Sequence, residues 1–131
     1  MNKMQKKIFI TATLLGLLGV VLGAFAAHGL RALLTDSALE SFQTGVRYQI
    51  YHAFFLFIIG LNSHLSAIQK KYIFSLTLAG ILLFSVSIYL LATNPLTSID
   101  FAFLGPVTPI GGLLLIFAWA SLLSGLIRHK I

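Results

Sequence analysis

The stretch IFITATLLGLLGVVLGAFAA, residues 8–27, runs for twenty residues without a charge. A helix needs about 20 mostly apolar residues to cross the hydrocarbon core of a bilayer, so this stretch reads as a membrane span. Three more runs repeat the pattern. Together they predict spans over about 8–28, 48–68, 72–93 and 107–127. The second is the weakest, because His52, Asn62 and His64 interrupt it. Composition agrees: 58% of the 131 residues are hydrophobic and 9% charged, against roughly 25% charged in an ordinary soluble domain. So small a core cannot hide that much apolar surface from water. Lipid has no water to satisfy backbone groups, so each span is expected to be a helix. The predicted fold class is all-α: an integral membrane four-helix bundle forming a single domain over 1–131.

The cations set the expected orientation. Lys3, Lys6 and Lys7 precede the first span, Lys70 and Lys71 separate the second and third, and Arg128 and Lys130 follow the fourth. Four crossings put all seven on one side, the cytoplasm, with both termini. The other side receives Arg31 and Arg47 and all three acids, Asp36, Glu40 and Asp100. The net charge of +6 does not signal nucleic acid, since the cations form short clusters between apolar runs. With no cysteine, disulfides and thiol chemistry are excluded. A cleavable leader ending near Ala24-Phe25-Ala26 is the rival reading of the first run. That run exceeds the usual 7–15 residues, which favours a retained span.

Between the first two spans, Ser37-Ala38-Leu39-Glu40 matches a capping box, and Leu39, Phe42, Val46 and Ile50 follow at helical spacing. This predicts a short amphipathic interfacial helix over about 37–47 on the outer surface. The segment 94–106 holds prolines near both ends and reads as a turn-rich loop.

Small residues mark the packing faces. Ala12, Gly16, Gly19, Gly23 and Ala27 fall on one face of the first span, and Gly111 and Gly112 supply the fourth. Without a hydrophobic drive in lipid, such faces let backbones approach closely. The stripe suits either another span or a second copy of the chain, so a homo-oligomer stays open, with the within-chain partner favoured.

Polar residues concentrate in the outer half. Tyr48 and His52 share a helix face with Gln49 beside them, and Ser85 and Tyr89 stand one turn apart. Polar groups at membrane depth need partners, so His28, Tyr48, Gln49, His52, Ser85, Tyr89 and Thr108 are expected to converge into one hydrogen-bonded cluster. Arg31 and Arg47 would lie above it, with Asp36 or Glu40 as counterions. Trp119, near the middle of the fourth span, is expected to pack with its N–H bonded internally. Two histidines without a third ligand make no metal site, and no cofactor is expected. The cluster reads as an organiser of the bundle that also binds a small ligand or lipid. Two alternatives remain: a small transporter or channel component, and a membrane enzyme using His52. A mostly aliphatic inner half weighs against the first, and no nucleophile–base set supports the second.

The segments GAFAAHGL, FQTGVRYQIYHAFFL, LFSVSIYLL and VTPIGGLLLIFAW together resemble the YgdD-like family of small bacterial inner-membrane proteins, the domain of unknown function 423. The resemblance touches all four predicted spans. It implies a four-span membrane protein with no established activity. His28, Tyr48, Gln49, His52, Ser85, Tyr89, Thr108 and Pro109 stand at positions matching the family pattern. Ala26 and Val86 replace glycines of that pattern, which puts very close helix contact in doubt at those two points.

Overall fold

The computed structural model describes residues 1–129, so Lys130 lies outside the described residues. Four helical rods lie side by side. The first is α1 (Lys3–Phe25), prolonged by a π turn over Ala26–Leu30. The second is α2 (Asp36–Leu61). The third is α3 (Ala67–Ile81), a second π turn over Leu82–Val86, and α4 (Ser87–Ala92). The fourth is α5 (Val107–Arg128). Three stretches are long and apolar enough to cross a membrane: Lys3–Leu30, Ala67–Ala92 and Ala102–Arg128.

The caps show why the rods start where they do. Asn2 Oδ1 accepts from the Gln5 amide at 2.8 Å, and Gln5 Oε1 accepts from the Asn2 amide at 3.2 Å. Ser66 and Gln69 repeat this box at the head of α3. Each box satisfies two amides that a helix start leaves without partners. The start of α2 differs from expectation. Its cap is Thr35, whose hydroxyl accepts from the Ala38 amide, so Ser37 is already helical and no Ser37–Glu40 box forms. The helix expected over 37–47 and the span expected over 48–68 are one uninterrupted rod. It stops at Leu61 because Asn62 turns extended and its Oδ1 takes the His64 and Leu65 amides. In the loop before α5, Asn94 Oδ1 and Asp100 Oδ1 accept from the Phe101 and Ala102 amides.

The rods run up and down. At one end, Gln5 of α1 and Lys70 of α3 both donate to the Gly60 carbonyl of α2, at 3.2 and 3.0 Å. Gly125 of α5 faces Leu65 and Gln69 there. We call this the cationic end. At the other end, which holds both π turns, Leu30, Phe42, Val46 and Ala92 form a small apolar cluster. The larger core lies toward the cationic end, around Ile8, Phe55, Leu56, Ile59, Ile73 and Leu122.

Glycines permit several close approaches between rods, among them those at Gly19 and Gly111. A β-carbon on Gly19 would stand 2.6 Å from Ile50 Cγ1 of α2. One on Gly111 would strike the backbone of Leu83 and Phe84 in the second π turn. Gly23 faces Val46, Gly112 faces Phe84 with ordinary room, and Gly16 has only Ala53 nearby at 3.9 Å. The glycine face of α1 therefore packs on α2 of the same chain at Gly19 and Gly23, and leaves Gly16 loose.

Candidate functional site

Three rods meet around Gln49, which is buried. Its Nε2 donates to the Leu15 carbonyl of α1 at 2.8 Å, and its Oε1 accepts from the Tyr89 hydroxyl of α4 at 2.7 Å. One amide thus ties α1, α2 and α4. Tyr89 reaches it because Gly45 has no side chain. A β-carbon there would lie 2.7 Å from the tyrosine ring. The Gly45 carbonyl also accepts from Ser85 Oγ at 2.8 Å.

The second π turn explains the serines. A π turn shifts backbone bonds to i→i+5 and disturbs the regular ladder. Ser87 Oγ lies 2.6 Å from the Leu83 carbonyl and 2.9 Å from that of Phe84. Thr108 Oγ1 of α5 stands 2.6 Å from the same oxygen. A hydroxyl has one hydrogen. With the Ser87 proton directed at the carbonyls, Thr108 is the donor to Ser87.

His52 is fixed at both ring nitrogens. Nδ1 lies 2.7 Å from the Tyr48 carbonyl, and Nε2 lies 3.2 Å from Trp119 Nε1 of α5. A carbonyl only accepts and an indole N–H only donates. The ring is therefore the neutral tautomer with its proton on Nδ1. Neither nitrogen is free for a substrate or a metal in this arrangement, so the geometry orients the imidazole rather than presenting a base. Trp119 lies over Phe55, with ring centroids 4.3 Å apart.

Beside this pair opens a cleft of about 590 Å³ between α2, the second π turn and α5. Tyr48, His52 and Trp119 form its polar-edged wall, and Phe84, Leu115 and Ile116 its apolar wall. Tyr48 is 41% exposed, and its ring packs on Phe84 at 4.9 Å.

The expected cluster is thus three separate groups and one outlier. Gln49 with Tyr89, and Ser85 with Gly45, join the rods at the π-turn end. His52 with Trp119 lies nearer mid-depth. Thr108 is tied to Ser87 rather than to the histidine. His28 is exposed and, among the described residues, makes no side-chain hydrogen bond, which corrects its expected place in the cluster. Buried positions on α1 step through Gly19, Ala26 and Leu30. The π turn puts Ala26 rather than Ala27 on the inner face and turns His28 outward. Arg31 and Arg47 are exposed outside the network, and Arg47 donates to Thr44 of its own helix at 2.8 Å. Sequence reasoning missed Gly45 as an acceptor, Ser87 as Thr108's partner, and the pairing of Trp119 with His52.

These features define a small helical membrane protein, and comparison with known proteins places it. Residues 22–112 match the family model described as "Protein of unknown function (DUF423)". The chain is 36% identical over 127 residues to the UPF0382 membrane protein YwdK of Bacillus subtilis, covering 95% of this chain and 99% of that one. It is 37% identical over 127 residues to a UPF0382 membrane protein of Haemophilus influenzae, covering 97% and 98%. A fission yeast relative, from Schizosaccharomyces pombe, is 36% identical over 117 residues, covering 88% and 98%. No solved structure matches the chain. The chain belongs to the DUF423 family of small membrane proteins.

Proposed function

We propose that this chain is a four-span protein of the bacterial inner membrane, with both termini in the cytoplasm, whose lateral cleft binds an apolar, lipid-like molecule. The fourth crossing is α2. Its polar residues Arg47, Gln49 and His52 dilute its apolar run, yet its 26 residues give about 39 Å of helix, enough for a core of roughly 30 Å. It pairs with α1 near both ends, through Gly60 with Gln5 and Val46 with Gly23. The first turns of α2, with Asp36 and Glu40, would sit at the outer interface. The excess of lysine and arginine at the cationic end supports a cytoplasmic placement of that end.

The cleft beside His52 and Trp119 carries the binding reading. Its volume of about 590 Å³ falls in the usual range for small-molecule sites, and such sites pair apolar walls with a few fixed polar groups. The hydrogen bond between the rings holds that wall rigid. The test is native mass spectrometry of the protein extracted from its own membrane. The expected result is a retained non-protein mass that Gly112→Leu removes. Gly112 lines the cleft with a β-carbon position 3.6 Å from Phe84, so a larger side chain fills the cleft while the fold persists. No retained mass, or equal retention in both proteins, would sink the reading.

A further inference from the structure

We propose that a second groove, between α3 and α5 at the cationic end, holds an anionic phospholipid with its phosphate beside Arg128. The groove measures about 340 Å³. Gln69, Tyr72, Ser124 and Arg128 stand at its polar mouth, and Ile73 and Phe117 lie deeper along it. From Arg128 back to Phe117 the groove follows α5 for about 16 Å at helical rise. A polar mouth leading into an apolar trough of that length is the shape of a headgroup followed by part of an acyl chain.

The donors at the mouth are available. Gln69 Oε1 is occupied by the Ser66 amide at 2.9 Å, which leaves the two hydrogens of its side-chain amide for a ligand. Among the described residues, the Tyr72 and Ser124 hydroxyls and the Arg128 guanidinium take no hydrogen-bond partner. A guanidinium presents a planar fork suited to phosphate oxygens.

Charge complementarity selects the occupant. The described cations of this end are Lys3, Lys6, Lys7, Lys70, Lys71 and Arg128, while the acids Asp36, Glu40 and Asp100 belong to the opposite end. Lys70 is buried on the Gly60 carbonyl and Lys7 lies over the Phe74 ring, and of the described cations at this end it is Arg128 that lines the groove. Juxtamembrane cations attract anionic lipid in this way. Arg128 also complements the negative end of the α5 dipole, so the test must read lipid class and not stability alone.

The full-length protein is exchanged into micelles containing equal amounts of phosphatidylglycerol and phosphatidylcholine with matched chains. Retained lipid is counted by native mass spectrometry. The wild type is expected to keep phosphatidylglycerol about fivefold over phosphatidylcholine, the size of one cation's attraction near a membrane surface. Arg128→Gln should bring the ratio to parity. Lys6→Gln, at the same end but off the groove, should leave it unchanged. Ala120→Trp, which fills the trough, should abolish retention of both lipids, and this variant decides if Arg128→Gln fails to fold. Parity in the wild type overturns the proposal. So does an equal loss in Lys6→Gln, which means a diffuse cationic field. Full displacement by inorganic phosphate overturns it too, because the site would then read the headgroup alone. Gly112→Leu should leave the ratio untouched, which keeps this result separate from the fate of the cleft beside His52.

Discussion

At the end of the bundle that holds the π turns, the rods are joined mainly by side-chain hydrogen bonds: Gln49 to Leu15, Tyr89 to Gln49, Ser85 to Gly45, and Thr108 with Ser87. Toward the cationic end they are joined mainly by apolar packing around Phe55, Leu56, Ile59 and Ile73, with Gly60 as the main polar junction. The difference follows the placement of the polar side chains, which gather on α2 and around the second π turn. In the cationic half the rods are regular α-helix, and groups released at their ends are taken by the two capping boxes and by the donors to Gly60. The other half contains both π turns, and lipid offers no water to groups the ladder releases. The Ser85 and Ser87 hydroxyls lie in and just after the second π turn. What the glycines meet also differs: Gly111 meets bare backbone at the second π turn, while Gly60 and Gly125 in the cationic half meet the side chains of Phe9 and Leu65.

The largest expected effect tests the irregular half. Gly111→Val drives its side chain into the Leu83–Phe84 backbone, which cannot rotate aside, and should cost about 3 kcal/mol of stability. Gly112→Ala, one residue on, should change stability by less than about 1 kcal/mol. Equilibrium unfolding in mixed micelles reads both. Equal losses would mean that the π turn does not set the contact. The next effect concerns Gln49→Leu. It leaves the half-buried Tyr89 hydroxyl without its acceptor and should cost about 2 kcal/mol. Tyr89→Phe alone should cost about 1 kcal/mol, near the upper values for hydrogen bonds between membrane helices. In a double-mutant cycle the two should couple. Additive losses would show that the amide does not bridge the rods through Tyr89.

Much of the architecture was legible because apolar runs and cation clusters are local signals. The family resemblance was legible for a similar reason: its motifs carry the residues that line the rods. The joining of 37–47 to 48–61 in one rod was not legible, since the true cap, Thr35, lies two residues ahead of the serine that matched a capping box. Of the candidate cluster, Gln49, His52, Ser85, Tyr89 and Thr108 do find partners between or within rods. His28 does not, because a π turn changes the angle per residue and no composition signal marks it. Trp119 was readable as internally bonded. Its partner was not, because His52 and Trp119 are 67 positions apart and nothing local couples them.

A smaller effect tests the cationic half. Lys70 is a buried ammonium that donates to the Gly60 carbonyl, and Gln5 donates to that same oxygen. Lys70→Met removes a desolvated charge, keeps the apolar stem, and leaves the carbonyl satisfied. Replacing a buried charge by an apolar group of similar volume is often neutral, so the change should lie within about 1 kcal/mol. Adding Lys70→Met to Gln5→Met, which by itself opens the Asn2–Gln5 box, strands the carbonyl and should cost about a further 2 kcal/mol. If the single Lys70→Met variant already costs as much, the ammonium rather than the shared acceptor closes this end.

The smallest effect comes from Gly16. It borders a groove of about 270 Å³ between α1 and α2, and its nearest side-chain neighbour, Ala53 Cβ, stands 3.9 Å from where a β-carbon would sit. Gly16→Ala adds a methyl group to open space and removes backbone freedom from the unfolded chain. It should therefore leave stability unchanged or raise it by about 0.5 kcal/mol. Gly19→Ala, one turn further along the same face, must push Ile50 aside and should lower it. A loss at Gly16 as large as that at Gly19 would mean that something packs on this groove in the membrane. A second copy of the chain is the first occupant to test, by counting subunits in the native mass spectrum of each variant.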